Sequence, residues 1–531
     1  MTRTRALTDS QIIRAALVVL LGFLASGVLG IVRLAVISAT FGASSELDSF
    51  YAAQRIPEVL FVLVAGGALG SSFIPVFSRF LTSDDHTQAW RLASATMSLA
   101  AGAASVLAVV IGVLAPVLVP LILVPGSEPA EQALTTRLVQ IMLLTTVIFS
   151  VSGLLMGILN AHQNFLFPAL ALSMNNVGII IGALVLAPLL GSRDEPSIYG
   201  LACGAVLGAL LHLVIQLPGL RYIRARLRWF PNWRTDGVRE VLLLMGPRVL
   251  GLAVVQINFI VNIAFASDMR DGSQTALTTS WSLMFFILGV IAQSIGTAVF
   301  PTLSTLAAEN DMATFKARLS RVMRSMLFLA LPASVGLIVM GMPLITVMFE
   351  RGAWTHEATR ATAWALAFFA LGIAGHSLLE VLSRAFYALS DTWTPVKIGI
   401  AAMVSNIVLS VVFIQFMGDP DSLARGPFAG LALANSLTTL VEAVILWRLL
   451  SQRIGGIHDL QIISSGMRAL MAALLMGAAV WALDSSLVSQ LMLLRLLVGA
   501  GAGILIYFGL AAVMGVGEIQ VLLRRFKLAR N

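Results

Sequence analysis

"AAQRIPEVLFVLVAGGALGSSFIPVFSRF" (52–80) and "TTSWSLMFFILGVIAQSIGTAVFPTLSTL" (278–306) are two copies of one pattern. Pro75 falls on Pro301, Gly70 on Gly296 and Ser78 on Ser304, an offset of 226. Further along, "LNAHQNFLFPAL" (159–170) matches "FYALSDTWTPVK" (386–397) at an offset of 227, with Pro168 on Pro395. An offset held over about a hundred residues is the mark of a duplicated unit. Both copies are apolar over lengths that suit lipid, where a span needs about 20 mostly apolar residues.

The rest of the chain agrees. Of its 531 residues 58% are hydrophobic and 11% charged, with a mean hydropathy of +0.93. Soluble domains carry about 25% charge, and a membrane β-barrel would show short alternating segments. The composition predicts an all-α polytopic membrane protein. Apolar runs give fourteen spans near 14–38, 50–77, 93–122, 138–159, 166–190, 199–219, 240–266, 276–302, 323–348, 362–387, 396–416, 428–450, 464–483 and 490–515. With the repeat they predict two pseudo-symmetric six-helix lobes around a central cavity, plus two C-terminal helices. The expected divisions are an N-lobe (1–219), a basic inter-lobe loop (220–239), a C-lobe (240–450), and spans 13 and 14 with a basic tail (451–531).

Net charge is +8. With the N-terminus inside, inner segments together with the inner ends of the spans hold 24 of the 34 Lys and Arg, outer loops six, and the remainder of the spans four. The positive-inside rule then places both termini in the cytoplasm. The basic balance is a matter of topology and anionic inner-leaflet lipid, and nucleic acid is not expected as a partner. The first span is read as the insertion signal. The stretch "RYIRARLRWF" (221–230) is amphipathic, with its arginines at the inner headgroup plane. Cys203 is the sole cysteine and reads as a small core residue; no cysteine–histidine spacing suits a metal. No nucleophile elbow, phosphate-binding loop or zinc-protease motif is present, so no catalytic residue or cofactor is expected.

Charged residues inside spans are expensive and face a cavity or a partner. Arg33, in "GVLGIVRLAVISATFG" (27–42), lies in the outer half of the first span. Arg55 lies in the second, three residues before Glu58. Both arginines either snorkel to headgroups, with Arg55 alternatively pairing with Glu58, or line an anion site, for which the guanidinium fork suits phosphate. Arg248 opens span seven and is followed by Gln256, Asn258 and Asn262, which either join helices or line a wet cavity. His376, Glu380 and Arg384 share one face of span ten; Glu380 is either half of a local salt bridge or a proton-coupling carboxylate. Glu442 carries the same two readings.

The stretch from Gly27 to Pro57, with "GGALGSSFIPVFS", "IGTAVFPTLS", "LITVMFERGAWT" and "AFYALSDTWTPVKI", resembles the MurJ/MviN family of lipid II flippases over nearly the whole chain. That family lies within the multidrug, oligosaccharidyl-lipid and polysaccharide exporter superfamily. The resemblance implies movement of lipid II, a polyprenyl-diphosphate-linked disaccharide-peptide, across a bacterial cytoplasmic membrane for cell-wall synthesis. It implies membrane lipids around the chain, a monovalent cation or a proton as coupling ion, and cell-wall synthesis proteins as partners. The family's pattern falls on Arg33, Arg55 and Asp48. Here Leu34 replaces an acid, Gly66 replaces another, span eight lacks the family's arginine, and Asn262 stands where many members carry an acid. A sodium site in some members would fall on Asn262 with Asn406 and Ser410. These departures keep a second reading open, export of another polyprenyl-linked glycan or an amphipathic small molecule. A third is a non-transporting cell-wall scaffold.

Overall fold

A computed structural model describes residues 9–519 except 65, 66, 84, 193 and 489; of residues 9–20, 23, 64, 67–71, 247, 248 and 250–255 it gives the backbone alone. Among the described residues every regular element is helical. We number them α1 (Asp9–Phe41), α2 (Ser45–Val64), α3 (Gly67–Thr82), α4 (His86–Leu123), α5 (Pro129–Ala161), α6 (Leu166–Leu190), α7 (Tyr199–Tyr222) and α8 (Val238–Ala266). There follow α9 (Ser273–Ala308), α10 (Met312–Phe349), α11 (His356–Leu371), α12 (Ile373–Ala388), α13 (Trp393–Phe416), α14 (Ala429–Ile454), α15 (Asp459–Ser486) and α16 (Met492–Val513). Eleven described helices are long and apolar enough to cross a membrane, or twelve if α11 and α12, bent by 44° at Gly372, form one span. The expected fourteen are not reached on this measure. The segments read as the second and seventh spans are helical, as α2 with α3 and as α8, but neither is counted. Polar Glu46, Asp48, Arg55 and Glu58 lower the apolarity of α2.

Element ends recur at the sequence offset. α4 and α10 begin and end 226 residues apart, and α5 matches α11 and α12 together at 227. The caps recur too. Asp85 accepts from the Gln88 amide and Asp311 from the Thr314 amide, each at 3.0 Å, satisfying a donor that the first helical turn leaves over. Gln163 and Ser390, again 227 apart, both take positive φ at the ends of α5 and α12.

By internal packing the chain falls into two units: Met1–Thr275 with Arg351–Trp354, and Ala276–Glu350 with Thr355–Asn531. In the first unit α6 and α7 touch backbone to backbone. A Cβ on Gly178 would lie 2.2 Å from Gly208 Cα, and one on Gly204 would lie 2.6 Å from Gly182 Cα. Small residues allow this approach where lipid offers no hydrophobic drive. Polar ties hold neighbouring helices: Ser26 Oγ donates to Leu172 O, Asn176 Nδ2 donates to Ser26 O, and Arg79 on α3 makes two bonds to exposed Glu240 on α8. Buried Ser152, His212 and Gln216 form a hydrogen-bonded group; Gln216 Nε2 donates to Ser152 Oγ at 2.7 Å, and that hydroxyl meets His212 Nδ1 at 2.5 Å. The basic segment after α7 is extended rather than helical. Ile223, Ala225 and Leu227 turn inward onto a core of Phe77, Leu92 and Ile158, while Arg224, Arg226 and Arg228 are exposed. Ser94 and Ser98 on α4 accept its Arg228 and Phe230 amides.

In the second unit Phe315, Leu319, Val381, Phe386 and Leu446 gather α10, α12 and α14 around one core. A further core joins α10 to α15 and α16 through Phe328, Met340 and Met476, and buried Tyr507 donates to Phe328 O at 2.6 Å. Arg495, in the first turn of α16, is held by Asp484 across the α15–α16 turn, Nε to Oδ1 at 2.8 Å and Nη2 to Oδ2 at 2.6 Å.

Candidate functional site

The two arginines read as an anion site, Arg33 and Arg55, lie on α1 and α2. Arg33 is half-buried, and its Nε is buried with no hydrogen-bond partner. Across from it on α2, Tyr51 is 7% exposed, its hydroxyl also unpartnered, and near enough to feel the Arg33 charge. Asp48, Tyr51 and Arg55 follow at i, i+3 and i+7, one face of α2. Arg55 meets Glu58 at 2.8 Å and lies over the Phe259 ring of α8, 4.5 Å from its centroid. The local salt bridge is therefore formed, yet Arg55 Nε remains without a partner. Along α8, Gln256 Oε1, Asn258 Oδ1 and Asn262 Oδ1 are buried and unpartnered as well. Buried polar atoms ordinarily find a partner, and each left alone costs about 1–3 kcal/mol. Six such atoms on α1, α2 and α8, both donors and acceptors, are what a polar ligand or water would satisfy. The side chain of Arg248 lies outside the described residues.

Asp48 is already engaged. Its Oδ1 accepts from the Thr275 amide and hydroxyl, both at 2.6 Å, and its Oδ2 from the Gly272 amide at 2.7 Å. Both oxygens brace the first turn of α9. Beside it, a cavity of about 30 Å³ is lined by Asp48, Ser127, Glu131, Asp271 and Gln274. That is room for a water, not for a head group.

The other expected residues lie on α12, α13 and α14. On α12, Glu380 is 2.5 Å from Arg384, the local pair, while His376 meets Asn435 on α14 at 3.1 Å instead. On α13, Asn406 and Ser410 are buried one turn apart; Asn406 Nδ2 reaches Thr438 Oγ1 at 3.4 Å, but Asn406 Oδ1 and Ser410 Oγ have no partner. Glu442 on α14 is half-buried, with its Oε1 facing Gly399 of α13.

The "FERGAWT" motif has a physical reading. Ala353 N donates to Ala39 O at 2.8 Å, and a Cβ on Gly352 would lie 2.2 Å from that same oxygen. Gly352 also has φ +61°. Gly352→Val is expected to break this hairpin's seat on α1 and to reduce activity in a growth assay at least as much as Arg55→Ala.

The profile of the family described as lipid II flippase MurJ matches residues 37–499. The chain belongs to this family. A lipid II flippase MurJ of Burkholderia cenocepacia is 31% identical over 445 residues, 82% of this chain and 84% of that protein. A probable lipid II flippase MurJ of Vibrio cholerae serotype O1 is 30% identical over 494 residues, 90% of each. Among solved structures, a lipid II flippase MurJ in an inward closed conformation superposes with a TM-score of 0.76 at 23% identity, covering 94% of this chain and 99% of that one. An inward-facing multidrug resistance MATE family transporter gives 0.66 at 13% identity, covering 81% and 96%. These structures share the fold. The motif resemblance to the MurJ family is thus borne out, and the chain is a multi-pass membrane protein.

Tyr51 and the Ser152–His212–Gln216 group escaped the sequence reading. For Tyr51 a signal existed, its place on the Asp48–Arg55 face. For the other group none did, since its members are polar residues 60 and 64 positions apart in otherwise apolar runs.

Proposed function

We propose that this MurJ-family chain flips lipid II across the bacterial cytoplasmic membrane, with both termini in the cytoplasm. Arg33 holds the diphosphate, and Arg55, Gln256 and Asn258 complete the polar lining. The observation that carries this is Arg33, a permanently charged group inside a membrane-length helix with an unpartnered, buried Nε. Nothing among the described residues neutralises it by an ion pair; a ligand anion would. Asp48 braces the start of α9 rather than touching the anion. The two repeat halves supply the lobes of an alternating-access cycle, 1–219 and 240–450, a behaviour common to transporters built from repeats. The tail stays in lipid beside α15 and α16.

Two features bear on coupling. Asn262, Asn406 and Ser410 each leave an oxygen free and buried, the ligand type a monovalent cation takes, and no proton-coupling role is needed from Glu380, which Arg384 already occupies. Glu380→Gln is therefore expected to leave the response of transport to a collapsed proton gradient unchanged; a lost response would return Glu380 to a coupling role. The function itself is tested with the purified chain in vesicles carrying labelled lipid II in one leaflet. Transfer to the opposite leaflet is expected, and retention of the label would refute it. Export of a different polyprenyl-linked glycan is the second reading, favoured by the uncharged start of α9; competition between the two lipids in the same vesicles separates them.

A further inference from the structure

Four basic residues occupy the first turns of α10: Lys316, Arg318, Arg321 and Arg324. Two are satisfied by protein. Lys316 Nζ donates to Gly455 O at 3.2 Å, and Arg324 meets the buried carboxylate of Glu518 at 3.2 Å. Arg318 and Arg321 are exposed and have no partner among the described residues. Both line a groove of about 410 Å³ between α9 and α10. Its wall on α9 is the face after a π turn at Gly289–Gln293, where Ser294, Ala298 and Thr302 recur every fourth residue. Ile295 and Val299 give it an apolar floor, and no acidic side chain lines it. The opposite face of α9 is already closed, since Gly296 packs against Glu380 and Arg384.

Two unpaired guanidinium groups at i, i+3, the Thr302 hydroxyl and an apolar floor make a site for an amphiphile with a compact double negative charge. We propose that this groove captures the diphosphate of the lipid-linked substrate, at a site separate from Arg33. This rests on the flippase reading above. The charge decides between lipids. A phosphodiester headgroup brings one negative charge, whereas a diphosphate diester brings two and has oxygens enough for two bidentate arginines. The hydroxyl of Thr302 adds a donor, Ser294 Oγ donating to Gly289 O at 3.1 Å, and the isoprenoid chain runs along Ile295 and Val299. Basic pockets at helix ends on the inner side of a membrane are a common place for phosphate-bearing lipids.

The test is equilibrium binding of a fluorescent polyprenyl diphosphate to the full-length chain in phosphatidylcholine nanodiscs. Saturable binding is expected. The double variant Arg318→Ala with Arg321→Ala should weaken it about tenfold or more, the loss of charge-assisted contacts, and the double lysine variant should recover only part. Because both side chains are exposed and unpaired, the thermal unfolding midpoint of these variants should match that of the original chain. Arg33→Ala should retain saturable binding while losing transport. Unchanged affinity in the double alanine variant would overturn the proposal and leave the flippase reading intact. So would displacement of the probe by phosphatidylglycerol at equal mole fraction, which would mark a general anionic-lipid site. Absence of saturable binding in the original chain would overturn both.

Discussion

Arg33→Ala is expected to abolish growth of a flippase-depleted bacterium carrying this chain, with membrane expression unchanged. The reason is energetic. A guanidinium held within an apolar helix is costly unless something compensates it, and no carboxylate pairs with Arg33 among the described residues. Its compensation must then come from water or from an anion that arrives and leaves. Two charge-assisted bonds to a diphosphate are worth about 3 kcal/mol together, roughly a hundredfold in affinity. Arg33→Lys keeps the charge but loses the planar fork, so partial growth is expected. Arg55→Ala should be milder, because Arg55 already has Glu58 and the Phe259 ring. Equal loss in both variants would remove the distinction drawn between a paired and an unpaired arginine.

Gly178→Leu should lose folded protein rather than transport alone. The α6 and α7 backbones meet at Gly178 and Gly208, where a Cβ has 2.2 Å of room. No rotamer relieves that contact, so the helices must part along the whole Gly178–Gly182–Gly204–Gly208 seam. Overpacking of this kind costs about 1–3 kcal/mol or more, and the seam offers no flexible side chain to yield. A lowered unfolding midpoint and reduced yield are expected. Gly102→Ala is the control. Nothing lies within 4 Å of a Cβ there, and alanine favours helix over glycine by about 1 kcal/mol, so its midpoint should hold or rise. If Gly178→Leu were as stable as the original chain, the close packing of α6 on α7 would be wrong.

How much was legible beforehand follows from what each feature depends on. Apolar runs gave the helices, because lipid leaves a backbone little choice. The repeat was legible to the residue: the offsets read from Pro75 with Pro301 and Pro168 with Pro395 recur in the helix ends and in the Asp85 and Asp311 caps. Arg55 with Glu58 and Glu380 with Arg384 were legible as local pairs, since helical spacing alone brings them together. What spacing could not give was any tie between distant segments. Asp48 finds Gly272 and Thr275 more than 220 residues away, and Ala39 finds Ala353 over 300 away. Likewise, sequence alone did not say which of the α10 basic residues would find protein partners. Lys316 and Arg324 reach theirs through chain that returns only at Gly455 and Glu518.

The most direct measurement is the amount of lipid II left facing the cytoplasm in a flippase-depleted bacterium expressing this chain. The original chain should clear it, Arg33→Lys should clear part, and Arg33→Ala should leave it accumulated at equal expression. Clearance by Arg33→Ala at the original rate would contradict the account, since the unpaired guanidinium would then hold nothing that is transported.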